Sequence, residues 1–99
     1  MLEVQKIACS NSGFFNMSFA AVCSDGLSFS TDTYPIDQTR VIDLASAPFK
    51  LGTEFWPRIN AVLGNTQDAQ EHIVFAMNGQ TATYDVKGIA LDYSITLIG

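Results

Sequence analysis

Residues 72–98, HIVFAMNGQTATYDVKGIALDYSITLI, decide the fold of this chain. In the last part of this stretch apolar residues alternate with small or polar ones, which is the period of a half-buried strand; the apolar positions are Ile89, Leu91, Tyr93, Ile95 and Leu97. Two earlier runs, around Phe75 and Tyr84, alternate in the same way and flank Asn78-Gly79. Asn-Gly between such runs is typical of a hairpin, because a type I′ turn needs positive φ at both central residues. We therefore predict a β-meander here.

The N-terminal half repeats this period between turn-forming residues. From Phe14 to Cys23 the odd positions Met17, Phe19, Ala21 and Cys23 are predicted to face the core. Leu2 to Cys9 changes phase near Lys6, which indicates a β-bulge or a change of partner sheet. Leu27 and Phe29 are predicted to begin a short strand. Further on, Pro57 interrupts an alternating run and predicts an edge strand, or a strand that starts after the proline.

No helical period persists along the chain, and turn signals recur about every 8 to 12 residues. The sequence therefore predicts an all-β fold, an antiparallel β-sandwich of about eight short strands. A small closed β-barrel is the alternative. Residues 1–99 are expected to form one β-sandwich domain, because a chain of this length has enough apolar surface for one core.

Charge restricts the partners. The formal net charge is −5, and the five basic residues are scattered, so no nucleic-acid partner is expected, since phosphate binding needs clustered Lys and Arg. No transmembrane segment and no signal peptide are recognisable in the chain as given, which predicts a soluble protein, cytoplasmic or secreted by another route. An apolar fraction of 47% with few charges predicts a homo-oligomer.

No metal or cofactor motif is present, so neither is predicted. Cys9 and Cys23 are interpreted as small buried thiols, although a cross-strand disulfide stays open. Loop aspartates could assemble a Ca²⁺ site only if their loops converge; they are Asp25, Asp32 and Asp37.

A catalytic reading rests on one residue, because His72 is the chain's only histidine. With a carboxylate beside it, His72 would be the general base of a small hydrolase. The nucleophile motifs that would accompany such a base are missing from the sequence, so the chain is expected not to be an enzyme.

Aromatic residues off the predicted core give the candidate ligand-binding site. Trp56, Arg58 and Asn60 share the outer phase of one strand, and Tyr34 lies in a loop. An aromatic plate with hydrogen-bonding neighbours suits a sugar face or a lipid headgroup. The predicted function is therefore a non-catalytic binding module for a carbohydrate or a membrane-lipid headgroup. The alternative is a structural, self-assembling or toxin-complex subunit that acts through protein–protein contacts.

Overall fold

The computed structural model describes residues 1–26 and 28–99, so Leu27 and its predicted place in a strand lie outside the described residues. The described chain forms a short 3₁₀ turn at Leu44–Ser46 and ten β-strands. The strands are β1 (Leu2–Val4), β2 (Lys6–Asn11), β3 (Met17–Cys23), β4 (Ser28–Ser30), β5 (Thr39–Asp43), β6 (Glu54–Ala61), β7 (Thr66–Asp68), β8 (Ile73–Phe75), β9 (Thr81–Ile89) and β10 (Asp92–Leu97).

Two sheets make the sandwich. One has the strand order β1-β8-β6-β3-β4, with β7 also paired to β6, and the other has the order β10-β9-β2-β5. The sheets do not close on each other, so the β-sandwich prediction is confirmed and the barrel alternative is wrong. The sandwich is mixed rather than purely antiparallel, because β1 pairs parallel with β8 and β2 pairs parallel with β9.

The phase change near Lys6 marks the point where the chain changes sheets. β1 belongs to the first sheet and β2 to the second, with Gln5 between them. The Gln5 and Lys6 amides both donate to the Gln80 carbonyl oxygen, at 2.9 and 3.0 Å. One of the two expected causes of the phase change, a new partner sheet, is therefore confirmed.

The predicted hairpin at Asn78-Gly79 is wrong. Gly79 does adopt positive φ, 71°, but β8 and β9 on either side of the turn lie in different sheets. The turn is bonded to the β1–β2 crossover instead: Asn78 Nδ2 donates to the Glu3 carbonyl oxygen at 3.0 Å, and the Gly79 amide donates to Gln5 Oε1 at 3.0 Å. The hairpin of this region is β9–β10, and it turns at Ala90 and Leu91, inside the run predicted as one strand.

Pro57 stands in the middle of β6, which is paired on both sides, so the prediction of an edge strand is also wrong. On one side β6 pairs with β8 through Glu54 and Phe55 and with β7 through Arg58 to Asn60. Pro57 falls between these two partners, where its carbonyl oxygen accepts from the Ala69 amide at 2.9 Å. The missing N–H therefore interrupts no ladder.

The core fills the space between the sheets. The odd residues of β3 are all buried, as predicted, and both cysteines lie in the same cluster. Burial raises the pKa of the Cys9 thiol. Asn11 is the one polar side chain among the described core residues, and it is satisfied: Nδ2 donates to the Phe15 carbonyl oxygen at 2.8 Å, and Oδ1 accepts from the Gly13 amide at 3.0 Å. A buried, fully bonded side chain thus fixes the loop between β2 and β3.

Candidate functional site

Three of the four predicted site residues lie on one surface. β6 alternates, so Phe55, Pro57 and Ile59 are buried while Trp56, Arg58 and Asn60 point to the outer face of the first sheet. Asn60 is exposed and accepts a hydrogen bond at Oδ1 from Thr66 Oγ1 at 2.9 Å. The fourth residue, Tyr34, is not part of this surface.

Tyr34 was expected to be exposed and is 1% exposed, so that expectation is corrected. Its hydroxyl donates to the Cys9 carbonyl oxygen at 2.8 Å, and its backbone forms a bridge with Met17. The Arg40 guanidinium carbon lies 4.8 Å above its ring. Because burial dominates, the pKa of Tyr34 is raised. The residue before a proline is held extended, and here that conformation turns the ring inward.

Asp68 of β7 ties the outer surface together. It accepts from Arg58 Nε at 2.6 Å and Arg58 Nη2 at 3.0 Å, and from Trp56 Nε1 at 3.0 Å. The hydrogen bond from Arg58 lowers the pKa of Asp68, and the same bond raises the pKa of Arg58. The Trp56 donor and two of the Arg58 donors are therefore already bonded to a carboxylate.

One face of the indole is occupied as well. The His72 ring stacks on Trp56 with centroids 4.3 Å apart and an interplanar angle of 16°. His72 Nδ1 lies 2.5 Å from Glu54 Oε2, which gives this histidine a carboxylate partner from β6. We name the group Glu54, Trp56, Arg58, Asp68 and His72 the β6 surface cluster. It is a closed network in which most polar atoms are paired with one another.

A second surface lies at one end of the sandwich, where three loops meet: residues 12–16, residues 62–65 and residues 88–91. Backbone hydrogen bonds join them. Phe14 N–H donates to the Gly88 carbonyl oxygen at 2.9 Å, Val62 N–H to that of Asn16 at 2.9 Å, and Asn65 N–H to that of Ala90 at 2.9 Å. We call this end the tip.

The tip is apolar and uncharged. Its exposed hydrophobic side chains include Phe14 at 82% and Leu63 at 95% of full exposure; the others are Val62, Ile89 and Leu91. The three loops read SGFFN, VLGN and GIAL, and none contains a charged residue. Exposed apolar groups gathered in one place mark a contact surface, whereas single scattered ones do not.

Leu63 carries a further signal. Its backbone φ is +58°, one of two positive values at non-glycine residues among those described, and Asp37 is the other. A left-handed conformation costs an ordinary side chain about 1–2 kcal/mol, and Asn or Gly fits it better. The Leu63 side chain is almost fully exposed, so core packing does not offset this conformational cost.

Sequence reasoning found the β6 surface cluster in part and missed the tip. Period 2 places Trp56, Arg58 and Asn60 on one face, but Asp68 lies on another strand, β7, which that period does not reach. Phe14, Leu63 and Leu91 are far apart in the sequence, and only the topology brings them to the same end of the sandwich. The sequence signal that could have indicated the tip was a loop without charge that contains a bulky apolar residue.

The remaining predicted groups do not assemble. Among the described residues, no three His, Cys, Asp or Glu side chains lie close enough to hold a metal ion, and Asp32 instead pairs with Arg40 Nε at 3.0 Å. Among the residues that the structure describes, no helix is long and apolar enough to cross a bilayer.

Comparison with known proteins supports the fold. No protein-family model matches the chain, and no curated protein does. Among solved structures, wild-type pneumolysin is similar with a TM-score of 0.53 and 12% identity, over 93% of this chain and 22% of that one. A structure described as a Gram-negative toxin has a TM-score of 0.53 and 11% identity, over 94% and 22%. The chain thus spans about a fifth of the length of these toxins, and at such identity the likeness shows the β fold they share.

Proposed function

We propose that this chain is a non-catalytic binding module that attaches to a lipid surface by its tip. The observation that carries the proposal is Leu63, 95% exposed at a φ of +58°, within a group of exposed apolar side chains on three loops that contain no charge. Burying one such side chain in an apolar phase contributes about 1.5–3 kcal/mol. Several side chains inserting together provide an affinity that one alone does not.

The lipid surface is favoured over a carbohydrate for two reasons. The tip offers apolar area, which suits the acyl boundary of a bilayer, while sugar recognition needs free hydrogen-bonding groups beside an aromatic face. On the β6 surface cluster, where those groups were expected, Asp68 takes the Trp56 donor and two Arg58 donors, and His72 covers one face of the indole.

The alternative of a toxin-complex subunit is compatible with this proposal. One of the similar solved structures is described as a toxin, and this chain corresponds in extent to about a fifth of it. A lipid-binding domain would supply attachment in such an assembly. The hydrolase alternative would use His72 and Glu54. Replacing His72 with Ala would then abolish a hydrolytic activity, whereas substitutions at the tip would leave that activity unchanged.

Vesicle flotation tests the proposal. Wild-type protein is mixed with phosphatidylcholine vesicles and centrifuged through a density gradient, and we expect it to float with them. Phe14→Ser and Leu63→Asn should each reduce the floating fraction, with Kd about tenfold higher, because each removes the burial of one apolar side chain.

The matched control is Met77→Ser. Met77 is 64% exposed, close to the 66% of Leu91, but it lies in the β8–β9 connection at the end opposite the tip. We expect Met77→Ser to float like the wild type. An equal loss of vesicle binding in Met77→Ser and Leu63→Asn, or no flotation of the wild type, would overturn the proposal. A shift of Trp56 emission on adding sugars would favour the carbohydrate hypothesis.

A further inference from the structure

One long sheet edge of this molecule is unprotected. β10 is the outer strand of the four-stranded sheet and pairs only with β9 along the described chain. The Ile98 N–H donates to the Thr83 carbonyl oxygen at 2.8 Å. Because N–H direction alternates along a strand, the amides of Ser94 and Thr96 also face β9, whereas those of Tyr93, Ile95 and Leu97 face outward. In the part of the chain that the structure describes, these outward groups have no backbone partner.

The other edges among the described strands are shorter or charged. β1, β4 and β7 have three residues each, and β5 carries Arg40 and Asp43. β10 has six residues, DYSITL, with Asp92 at one end as its only charge and no lysine or proline. Short length, charge and proline are the devices that prevent edge-to-edge pairing, and β10 lacks them.

We propose that β10 is the contact for a second copy of this chain, paired antiparallel across a two-fold axis at Ile95. The residues whose backbone N–H and C=O groups face outward, Tyr93, Ile95 and Leu97, are spaced symmetrically about Ile95. In this register each of them therefore meets a residue of the partner subunit whose backbone groups also face outward. Ile95 faces itself, Tyr93 faces Leu97, and Ser94 faces Thr96. The two Asp92 carboxylates fall at opposite ends of the contact, so they do not repel each other.

Side chains on both faces suit this register. Ser94 and Thr96 are exposed on the outer face, where their hydroxyls would meet in cross-strand pairs. On the inner face Ile95 and Leu97 are half-buried. A groove of about 280 Å³ lies beside Ile95, lined by Gln67, Asp68 and Gln70 and by Tyr93 and Ser94 of β10. Inward side chains of the partner's strand would enter this groove.

The dimer has a consequence for the tip, and this step rests on the proposed function. β10 starts at the tip, next to Leu91, and runs away from it. Antiparallel pairing therefore places the two tips at opposite ends of the dimer. Such a dimer holds two lipid surfaces together rather than binding one surface twice.

Charge substitutions test the register. In Ser94→Lys/Thr96→Lys every Ser94–Thr96 contact becomes a pair of like charges, which are destabilising directly opposite each other. In Ser94→Glu/Thr96→Lys the same contacts become opposite charges. Sedimentation equilibrium without lipid should give a dimer for the wild type, a Kd at least about tenfold higher for the double lysine variant, and a dimer again for the Glu/Lys variant. Circular dichroism checks that all three are folded.

The outcomes separate the two proposals. A monomeric wild type, or equal dimerisation of both double variants, would overturn the β10 contact whatever happens with vesicles. Dimers that do not float with vesicles would contradict the tip and leave the contact standing. If both hold, the wild type should raise the turbidity of a vesicle suspension, and the double lysine variant should float with vesicles without raising it.

Discussion

Leu63 combines a conformational cost in folding with a side chain that, in the proposed function, enters the lipid surface. Its backbone is left-handed, its side chain meets solvent, and two residues beyond it the Asn65 side chain donates to the Leu91 carbonyl oxygen at 2.8 Å. This hydrogen bond fixes the loop while the Leu63 side chain extends into solvent. A turn that served only to connect strands would be more stable with Asn or Gly at this position.

Replacing Leu63 with Asn should raise the free energy of unfolding by about 1 kcal/mol, because Asn tolerates the left-handed conformation. The same change should weaken vesicle binding. Urea denaturation measures the first effect and flotation the second. A variant that is more stable and still binds as the wild type does would contradict the role given to the leucine side chain.

Asp68 predicts a pH effect. Its pKa is lower in the folded chain than the ordinary value of about 3.9, mainly through the hydrogen bond from Arg58. Its contribution to stability is therefore complete above that ordinary value and is lost as the pH falls through the lower folded pKa. Since the pair is partly exposed, the contribution is about 0.2–1 kcal/mol.

Asp68→Asn should accordingly lower the free energy of unfolding near neutral pH by about that amount and have little effect in strong acid. Thermal unfolding of both proteins across this pH range measures the difference. A difference that persists unchanged below the folded pKa would mean that the carboxylate charge is not what stabilises the cluster.

Gly64 connects two elements of the tip. A Cβ at this position would lie 2.2 Å from the Ala90 carbonyl oxygen and 2.6 Å from the carbonyl carbon, so the β6–β7 loop and the β9–β10 hairpin touch through their backbones. This close approach holds the exposed residues of both elements on one surface.

Gly64→Ala should therefore force the two loops apart, cost about 1–3 kcal/mol of stability and reduce vesicle binding. Gly52→Ala is the matched control. Gly52 has a φ of +86° with nothing within 4 Å of its Cβ position, so its substitution strains the backbone without moving the tip. If both glycine variants weaken binding equally, the contact between the loops does not organise the tip.

Several elements could be predicted from the period of their residues, and their pairing could not. The alternation in β3 and β6 correctly assigned the inner and outer faces. Asn78-Gly79 correctly indicated a turn, but only Gly79 has the positive φ that a type I′ turn needs at both residues, and the turn serves a crossover between sheets rather than a hairpin. Which of the two forms depends on long-range partners such as Gln5 and Glu3, and no local pattern contains them.

At the scale of the whole molecule, the acidic charge of the chain contrasts with the uncharged loops of the proposed contact surface. The net charge is −5, while the tip loops contain no ionised side chain. Attachment driven by the tip should thus be insensitive to added salt, and anionic lipid should weaken it through repulsion of the acidic protein. Flotation with phosphatidylcholine vesicles, with and without phosphatidylserine, at low and high salt measures both effects. Stronger binding to anionic vesicles that salt abolishes would contradict a tip-driven attachment.

Fold class was within reach of the sequence because alternation, composition and turn residues all act locally. The surface that we assign to function was not, since it is assembled from three loops far apart in the chain. Trp56 is the only indole in the sequence, but its N–H donates to Asp68 and one face of its ring stacks on His72. Tyr34 lies in a loop of the sequence, but its side chain is buried and its hydroxyl donates to the Cys9 carbonyl oxygen inside the core.

The most direct test of the lipid-binding tip compares an indole placed there with the native one. In a Trp56→Phe background, Phe14→Trp puts the only tryptophan at the tip, and its emission is recorded while phosphatidylcholine vesicles are added. We predict a saturable blue shift for this variant and no shift for Trp56 in the wild type. A shift of Trp56 with a silent indole at position 14 would contradict the account and return the binding site to the face of β6.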